Sequence, residues 1–251
     1  MTQNQQTFMT SATIPEKFWL NHDLRLSFEN ARKITAHFAK SFYFSASILP
    51  TDRRWATYAV YGFCRYADNL IDCPRERTAS ELYAEVEALR QELHICYRTG
   101  ESEHPVMRAF APVVQLYRIP IEYPLDLLKG VTMDMEQARY ATFDELYVFC
   151  YRVASVVGLM MTCVLGYKDP SAFEYAEKMG VAMQLTNILR DVGEDAEQAI
   201  GEDHEGDDED EGDGGEAEGG AGPGDDLRRA ERVAAELEEV VVDADLVDLQ
   251  H

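Results

Sequence analysis

The 251-residue sequence predicts an all-α protein, an antiparallel helical bundle around a central cavity. Apolar residues between positions 20 and 195 recur at three- and four-residue spacing, which puts them on one face of a 3.6-residue helix. Short breaks containing Pro or Gly separate the runs, and no stretch alternates apolar and polar residues as a half-buried strand would.

Taken in order, the first run covers 23–40 and stops before Pro50. The second, 52–72, has Thr51-Asp52 as its cap and ends ahead of Pro74. A third at 79–98 closes on Gly100, a fourth at 105–117 stops before Pro120, and a fifth at 124–138 reaches a break near Tyr140. The sixth, 143–166, holds the longest apolar run, about 14 residues from Val153 to Gly166. That is short of the roughly 20 that cross a bilayer, so a buried helix is expected. The seventh, 170–193, opens on Asp169-Pro170, a cap residue ahead of a first-turn proline.

Charge divides the chain. Residues 1–200 carry 20 Lys/Arg against 26 Asp/Glu, whereas 201–251 carry 3 against 20, so most of the net charge of −23 sits in the last fifth. Between 201 and 226 every residue except His204 and Pro223 is Gly, Asp, Glu or Ala, a composition with nothing to bury and therefore expected to be disordered. A short helix is expected at most over 227–242. The division is then an N-terminal extension (1–20), a helical domain (21–196) and an acidic low-complexity tail (197–251). Of the 61 residues from 191 onward, 48 are Asp, Glu, Gly, Ala or Val, the residues whose codons begin with G. A frameshift in a GC-rich gene and adaptation to high salt both fit that bias. The polyanionic field would repel nucleic acid and anionic lipid, which argues against a phosphate-backbone partner. Taken as the functional element, the tail would be an arm for a basic partner, but such runs are usually solvated chain.

Five cysteines, Cys64, Cys73, Cys96, Cys150 and Cys163, show no paired spacing and are odd in number, which favours reduced thiols over a disulfide framework or zinc site. The first 19 residues have neither a basic nor an apolar signal region, so a cytoplasmic protein is expected.

Two polar ladders interrupt the apolar helices. In Tyr61-Gly-Phe-Cys-Arg65-Tyr-Ala-Asp68-Asn-Leu-Ile-Asp72, positions 61, 65, 68 and 72 fall on one stripe. Two carboxylates a turn apart repel unless a cation lies between them, and Mg²⁺ favours sparse carboxylates together with substrate phosphates. An Asp pair at this spacing is also common on solvated faces. Here Trp55, Tyr58, Tyr61, Phe63 and Tyr66 lie within a dozen residues, which favours a site. The second ladder is Gln184-Leu-Thr-Asn187-Ile-Leu-Arg190-Asp191-Val-Gly-Glu-Asp195, with Gln184, Asn187, Asp191 and Asp195 on one stripe if the helix continues through Gly193. Two such ladders facing each other would cage Mg²⁺ around a diphosphate, with Arg65 and Arg190 on its oxygens. Met133, Met135, Met160, Met161, Met179 and Met183 are read mostly as core packing.

These blocks resemble the squalene/phytoene synthase family of head-to-head isoprenyl synthases. The resemblance runs through Lys40-Ser-Phe-Tyr-Phe-Ser-Ala-Ser-Ile-Leu-Pro50, the first ladder, Met133-Asp-Met-Glu-Gln-Ala-Arg-Tyr140, Tyr151-Arg-Val-Ala-Ser-Val-Val-Gly158 and the second ladder, from about Phe38 to Asp195. It implies an isoprenoid-synthase bundle and Mg²⁺-dependent condensation of two prenyl diphosphates, geranylgeranyl diphosphate to phytoene in carotenoid biosynthesis, with no nicotinamide cofactor. Alternatives are a dehydrosqualene or squalene type using farnesyl diphosphate, and a silent member serving in binding or assembly. By the resemblance Asp68, Asp72, Asn187, Asp191 and Asp195 face metal. Ser41, Arg65, Gln184 and Arg190 meet the diphosphates, and Tyr61 and Tyr151 line the cavity. Ala39 and Asn69 depart from residues frequent in the family. After Asp195 the family pattern calls for an Arg-x-aromatic-x-Pro stretch and further helices, where this chain has its acidic tail. The C-terminal helices are therefore expected to be missing. Lipid-soluble substrates imply transient membrane-surface contact, though the sequence shows no basic amphipathic helix to mediate it.

Overall fold

A computed structural model of the chain describes residues 17–72, 78–136 and 139–202. The expected disorder of 201–226 and the short helix over 227–242 fall, apart from the first two residues, outside the described residues, as does Cys73. Among the described residues there are helices and no strand. A 3₁₀ turn at Phe18–Leu20 precedes α1 (His22–Phe38), α2 (Lys40–Ser47), α3 (Thr51–Asp72), α4 (Ala79–Thr99), α5 (Met107–Leu116), α6 (Glu122–Glu136) and α7 (Phe143–Cys150). A π-helical turn, Tyr151–Ser155, leads straight into α8 (Val156–Leu165), and α9 runs from Ala172 to Glu202. The chain divides into two compact units between Val181 and Ala182.

In the first unit α3 is the axis, packed against α1, α5, α6 and α8. Its buried face carries Ala56, Val60, Phe63 and Ala67, and Phe63 stacks on Phe110 of α5 with ring centroids 4.4 Å apart. Phe28, Leu93, Met107, Leu127 and Met160 are also fully buried in this core. The stretch 143–165 is long and apolar enough to span a membrane by length and composition. Its inner face, including Phe149, Cys150, Val156, Met160 and Val164, is nevertheless buried in the protein core. Met160 and Met161 are likewise core residues, but Met179 and Met183 are exposed, so core packing does not account for those two.

Several differences from the sequence expectation have local causes. The run 23–40 is two elements, because Ala39 leaves the helical region with φ −138° before α2 begins. Helix α2 itself occupies a segment expected to be a break. The run 143–166 contains the π turn, and α9 continues nine residues past Gly193. Helix α9 begins at Ala172, two residues past Pro170, so the proline precedes the first turn rather than opening it; the Asp169 carboxylate accepts from the Ser171 N–H at 2.8 Å in the turn ahead of the helix.

Helix α4 starts with a capping box. The Thr78 hydroxyl accepts from Glu81 N–H at 3.3 Å while the Glu81 carboxylate accepts from Thr78 N–H at 2.7 Å. Replacing Thr78 with Ala should lower stability by about 1 kcal/mol in chemical denaturation, since the Glu81 N–H then loses its partner.

The α4–α5 connection is organised by His104. Its Nδ1 accepts from the N–H groups of Val106 and Met107 at 3.3 and 3.4 Å, which leaves the ring proton on Nε2, 3.2 Å from the Tyr66 hydroxyl of α3. Burial lowers the His104 pKa below its ordinary value, partly opposed by Glu92. A depressed histidine pKa stabilises the fold fully above the unfolded value of about 6.5 and loses that contribution as pH falls below it. The thermal midpoint of the wild type should therefore drop more steeply between pH 7 and pH 5 than that of His104→Gln, whose amide oxygen accepts the same bonds without titrating.

Candidate functional site

The first ladder lies in the first unit on α3. Its side chains are half-buried on the helix that forms the bundle axis, so the solvated-face reading does not fit Tyr61, Arg65 or Asp68. Tyr61 lies against Phe42 of α2 with ring centroids 5.4 Å apart. Arg65 holds its guanidinium over the Phe38 ring at the end of α1, 4.5 Å from the centroid. A cation parked on an aromatic face keeps its planar fork in place without neutralising its charge.

Electrostatics tie these residues together. Burial raises the Tyr61 pKa, opposed by the nearby Arg65 charge and reinforced by Asp68 and Cys64. Burial also pushes the Cys64 thiol well up, with the Asp68 carboxylate adding to it. Tyr61 is accordingly a neutral phenol at physiological pH, and Asp68 stands close enough to be felt by both groups. Asp72 is the last residue of α3, so its backbone continues the stripe; its side chain lies outside the described ones. Ser41 is exposed in the first turn of α2.

Tyr151 opens the π turn and is half-buried. Burial raises its pKa, as do the Asp126 and Glu177 carboxylates. π turns interrupt helices mostly where function requires a re-aimed side chain, and apolar periodicity gives no warning of one. Two glycines clasp this turn. A Cβ on Gly130 of α6 would sit 2.8 Å from Arg152 Cβ, and one on Gly180 of α9 would sit 2.4 Å from Ser155 Cα. The Ser155 hydroxyl donates to the Glu177 carbonyl at 2.6 Å, and the Tyr147 hydroxyl donates to the Glu177 carboxylate at 2.7 Å. That bond to Glu177, with burial, pushes Tyr147 up to about 12.

The second ladder lies in the second unit. Because α9 does continue through Gly193, Gln184, Asn187, Asp191 and Asp195 share one stripe of a continuous helix. Asn187 Nδ2 lies 3.5 Å from Gln184 Oε1, a long contact, and Arg190 pairs with its neighbour Asp191 at 2.9 Å with both side chains exposed. The side chain of Asp195 lies outside the described residues.

Among the described residues no three His, Cys, Asp or Glu side chains cluster as a ready-made metal cage. The first unit offers Asp68 and the second unit Asp191, each a single hard oxygen donor. Phe38 and Phe42 belong beside the ladder and escaped the sequence reading. The signal for them was the aromatic-rich block that follows α1.

Comparison with known proteins gives a consistent result. A family model for squalene/phytoene synthase matches residues 35–201. The 15-cis-phytoene synthase of Synechococcus elongatus is 38% identical over 182 residues, covering 68% of this chain and 58% of that protein. The 15-cis-phytoene synthase of Synechocystis is 32% identical over 231 residues, covering 79% and 68%. The crystal structure of a ligand-bound dehydrosqualene synthase aligns with TM-score 0.62 at 35% identity, covering 70% of this chain and 60% of that one. This chain thus spans a little under three fifths of the Synechococcus relative. The matched region contains every block on which the resemblance was drawn, and its all-helical architecture is that of the solved relatives: the chain belongs to the squalene/phytoene synthase family.

Proposed function

We propose that this chain carries the Mg²⁺-dependent head-to-head condensation of two prenyl diphosphates, with geranylgeranyl diphosphate as substrate and phytoene as product. The observation that carries the reading is the half-buried set on α3, where Tyr61, Arg65 and Asp68 share one face inside a family-matched segment. The likeness to proteins named phytoene synthase supplies the substrate class.

Asp68, Asp72, Asn187, Asp191 and Asp195 would hold Mg²⁺, which when bound neutralises the diphosphate leaving group. The chain's own groups do the rest. Arg65, fixed over Phe38, offers a preorganised fork to phosphate oxygens, and Ser41, Gln184 and Arg190 add hydrogen-bond donors. Tyr61 and Tyr151, held neutral by burial, present aromatic faces that stabilise a developing cation without trapping it. The half-buried face of α3 would shield that cation from water on one side. Farnesyl diphosphate is a second reading, favoured by the likeness to the dehydrosqualene synthase structure. The cytoplasm, with contact to a membrane surface that holds the product, fits both.

The test incubates the purified chain with Mg²⁺ and either prenyl diphosphate, without nicotinamide, and measures diphosphate release and extractable hydrocarbon. Phytoene from the C20 substrate is the expected result. Dehydrosqualene from the C15 substrate alone would move the reading to the second, and no release from a folded sample with either would reject catalysis by this chain.

A further inference from the structure

Between Glu145 and Lys168 the chain carries one charged residue, Arg152, directly ahead of the longest apolar run. It is the second residue of the π turn and is half-buried. A charge taken part-way out of water costs free energy unless an opposite charge meets it, so the partner of Arg152 decides what it is for.

The stem of Arg152 is pressed against α6. A Cβ on Gly130 would lie 2.8 Å from Arg152 Cβ and 3.1 Å from its carbonyl carbon, so the missing side chain is what lets the two backbones approach. From there the side chain reaches Met133, about one turn further along α6, whose Sδ accepts from Nη1 at 2.7 Å. A thioether is a weak acceptor, whereas a guanidinium holds five donors in a planar fork. Among the described residues no carboxylate pairs with Arg152. The acids around the turn are engaged elsewhere. Asp126 accepts from Lys129 Nζ at 2.7 Å, Glu177 from the Tyr147 hydroxyl at 2.7 Å, and Glu136, at the end of α6, from the Tyr83 hydroxyl at 2.6 Å.

We infer that Arg152 is an anion-binding residue of the first unit that takes the oxygens of a diphosphate, apart from the ladder on α3. The identity of the anion rests on the proposed condensation, which brings two diphosphates to one chain: Arg65 serves one of them, and Arg152 offers a second fork of the same kind. Helix α6 stands between the two, packed against α3 on one side and the π turn on the other. Met133 holds the place of the ligand, and its unbranched, flexible side chain can move aside when phosphate oxygens enter.

The experiment is calorimetric titration of the full chain with inorganic diphosphate in the presence of EDTA, so that no metal bridges the anion to the carboxylates. The wild type should bind, and added salt should weaken the binding. Arg152→Met should bind about ten- to a hundredfold more weakly, since a charge-assisted pair is lost, and Arg152→Lys should recover part of the affinity as a point charge without the fork. A purely structural arginine predicts something else. The ligand-free thermal midpoint of Arg152→Met should match or exceed that of the wild type, because an apolar side chain of similar length replaces a charge that lacks a carboxylate. A lower midpoint with unchanged affinity would make Arg152 a packing residue and overturn the inference. Should the Met variant fail to fold by circular dichroism, Arg152→Gln decides, since it keeps a donor and should lose both affinity and salt dependence. Absence of metal-free binding in the wild type would overturn the site, as would equal affinity in the wild type and a folded variant. Binding that depends on Arg152 in a chain that forms no hydrocarbon would uphold the site and reject only the condensation.

Discussion

Replacing Asp68 with Asn should reduce Mg²⁺-dependent diphosphate release by about a hundredfold or more, which corresponds to ~2.7 kcal/mol of transition-state stabilisation. Asn keeps the shape of the side chain and removes only its charge, so the half-buried position on α3 stays filled. Circular dichroism and the thermal midpoint check that the variant folds. Lost turnover with a retained midpoint separates loss of a ligand from loss of structure. A second readout does not depend on turnover. Mg²⁺ with inorganic diphosphate should raise the wild-type thermal midpoint by binding the folded state, and Asp68→Asn should lose that rise. Asp191→Asn should behave alike, and the double variant should be hardly worse than either single one, because groups that act on one leaving group fail together. Turnover unchanged in Asp68→Asn would remove the metal assignment, and a preserved diphosphate-induced shift would remove the binding role as well.

Much of this architecture is legible in the sequence because long amphipathic helices advertise their period. The α3 ladder could be read from spacing alone, since Tyr61, Arg65 and Asp68 recur at helical intervals within an apolar run. What spacing does not reveal is which neighbour holds each side chain. Arg65 rests on Phe38, a residue at the far end of another helix, and Tyr61 rests on Phe42 of a helix too short to show a period. Helix α2 escapes for that reason and because Ala39, its cap residue, makes no side-chain hydrogen bond that would announce it. The π turn escapes for the opposite reason. From Phe143 to Leu165 nearly every residue is apolar, so an extra residue in one turn disturbs no pattern. Gly130 and Gly180 are the trace it leaves, and their meaning emerges only when the helices carrying them are placed against the turn.

The second large effect is expected at Gly180. In an open helix position Gly→Ala stabilises by about 1 kcal/mol, because Ala restricts the unfolded chain and favours the helix. Here the added methyl would lie 2.4 Å from Ser155 Cα and 2.6 Å from Ser155 N, against backbone that cannot swing aside like a side-chain tip. Relief requires α9 to withdraw from the π turn. That strains the Ser155 bond to the Glu177 carbonyl and the Tyr147 bond to the Glu177 carboxylate together. Overpacking of this kind costs about 1–3 kcal/mol, enough to outweigh the helix gain and reverse the sign. Gly180→Ala should therefore unfold at lower denaturant than the wild type. Gly180→Val should be worse still, since its branched side chain adds bulk where one methyl already collides. Tyr151 opens the same turn, so the Ala variant should also lose turnover beyond what its folded fraction accounts for. A stabilised Gly180→Ala would mean that α9 does not press on Ser155, and the clasp on the π turn would have to be abandoned.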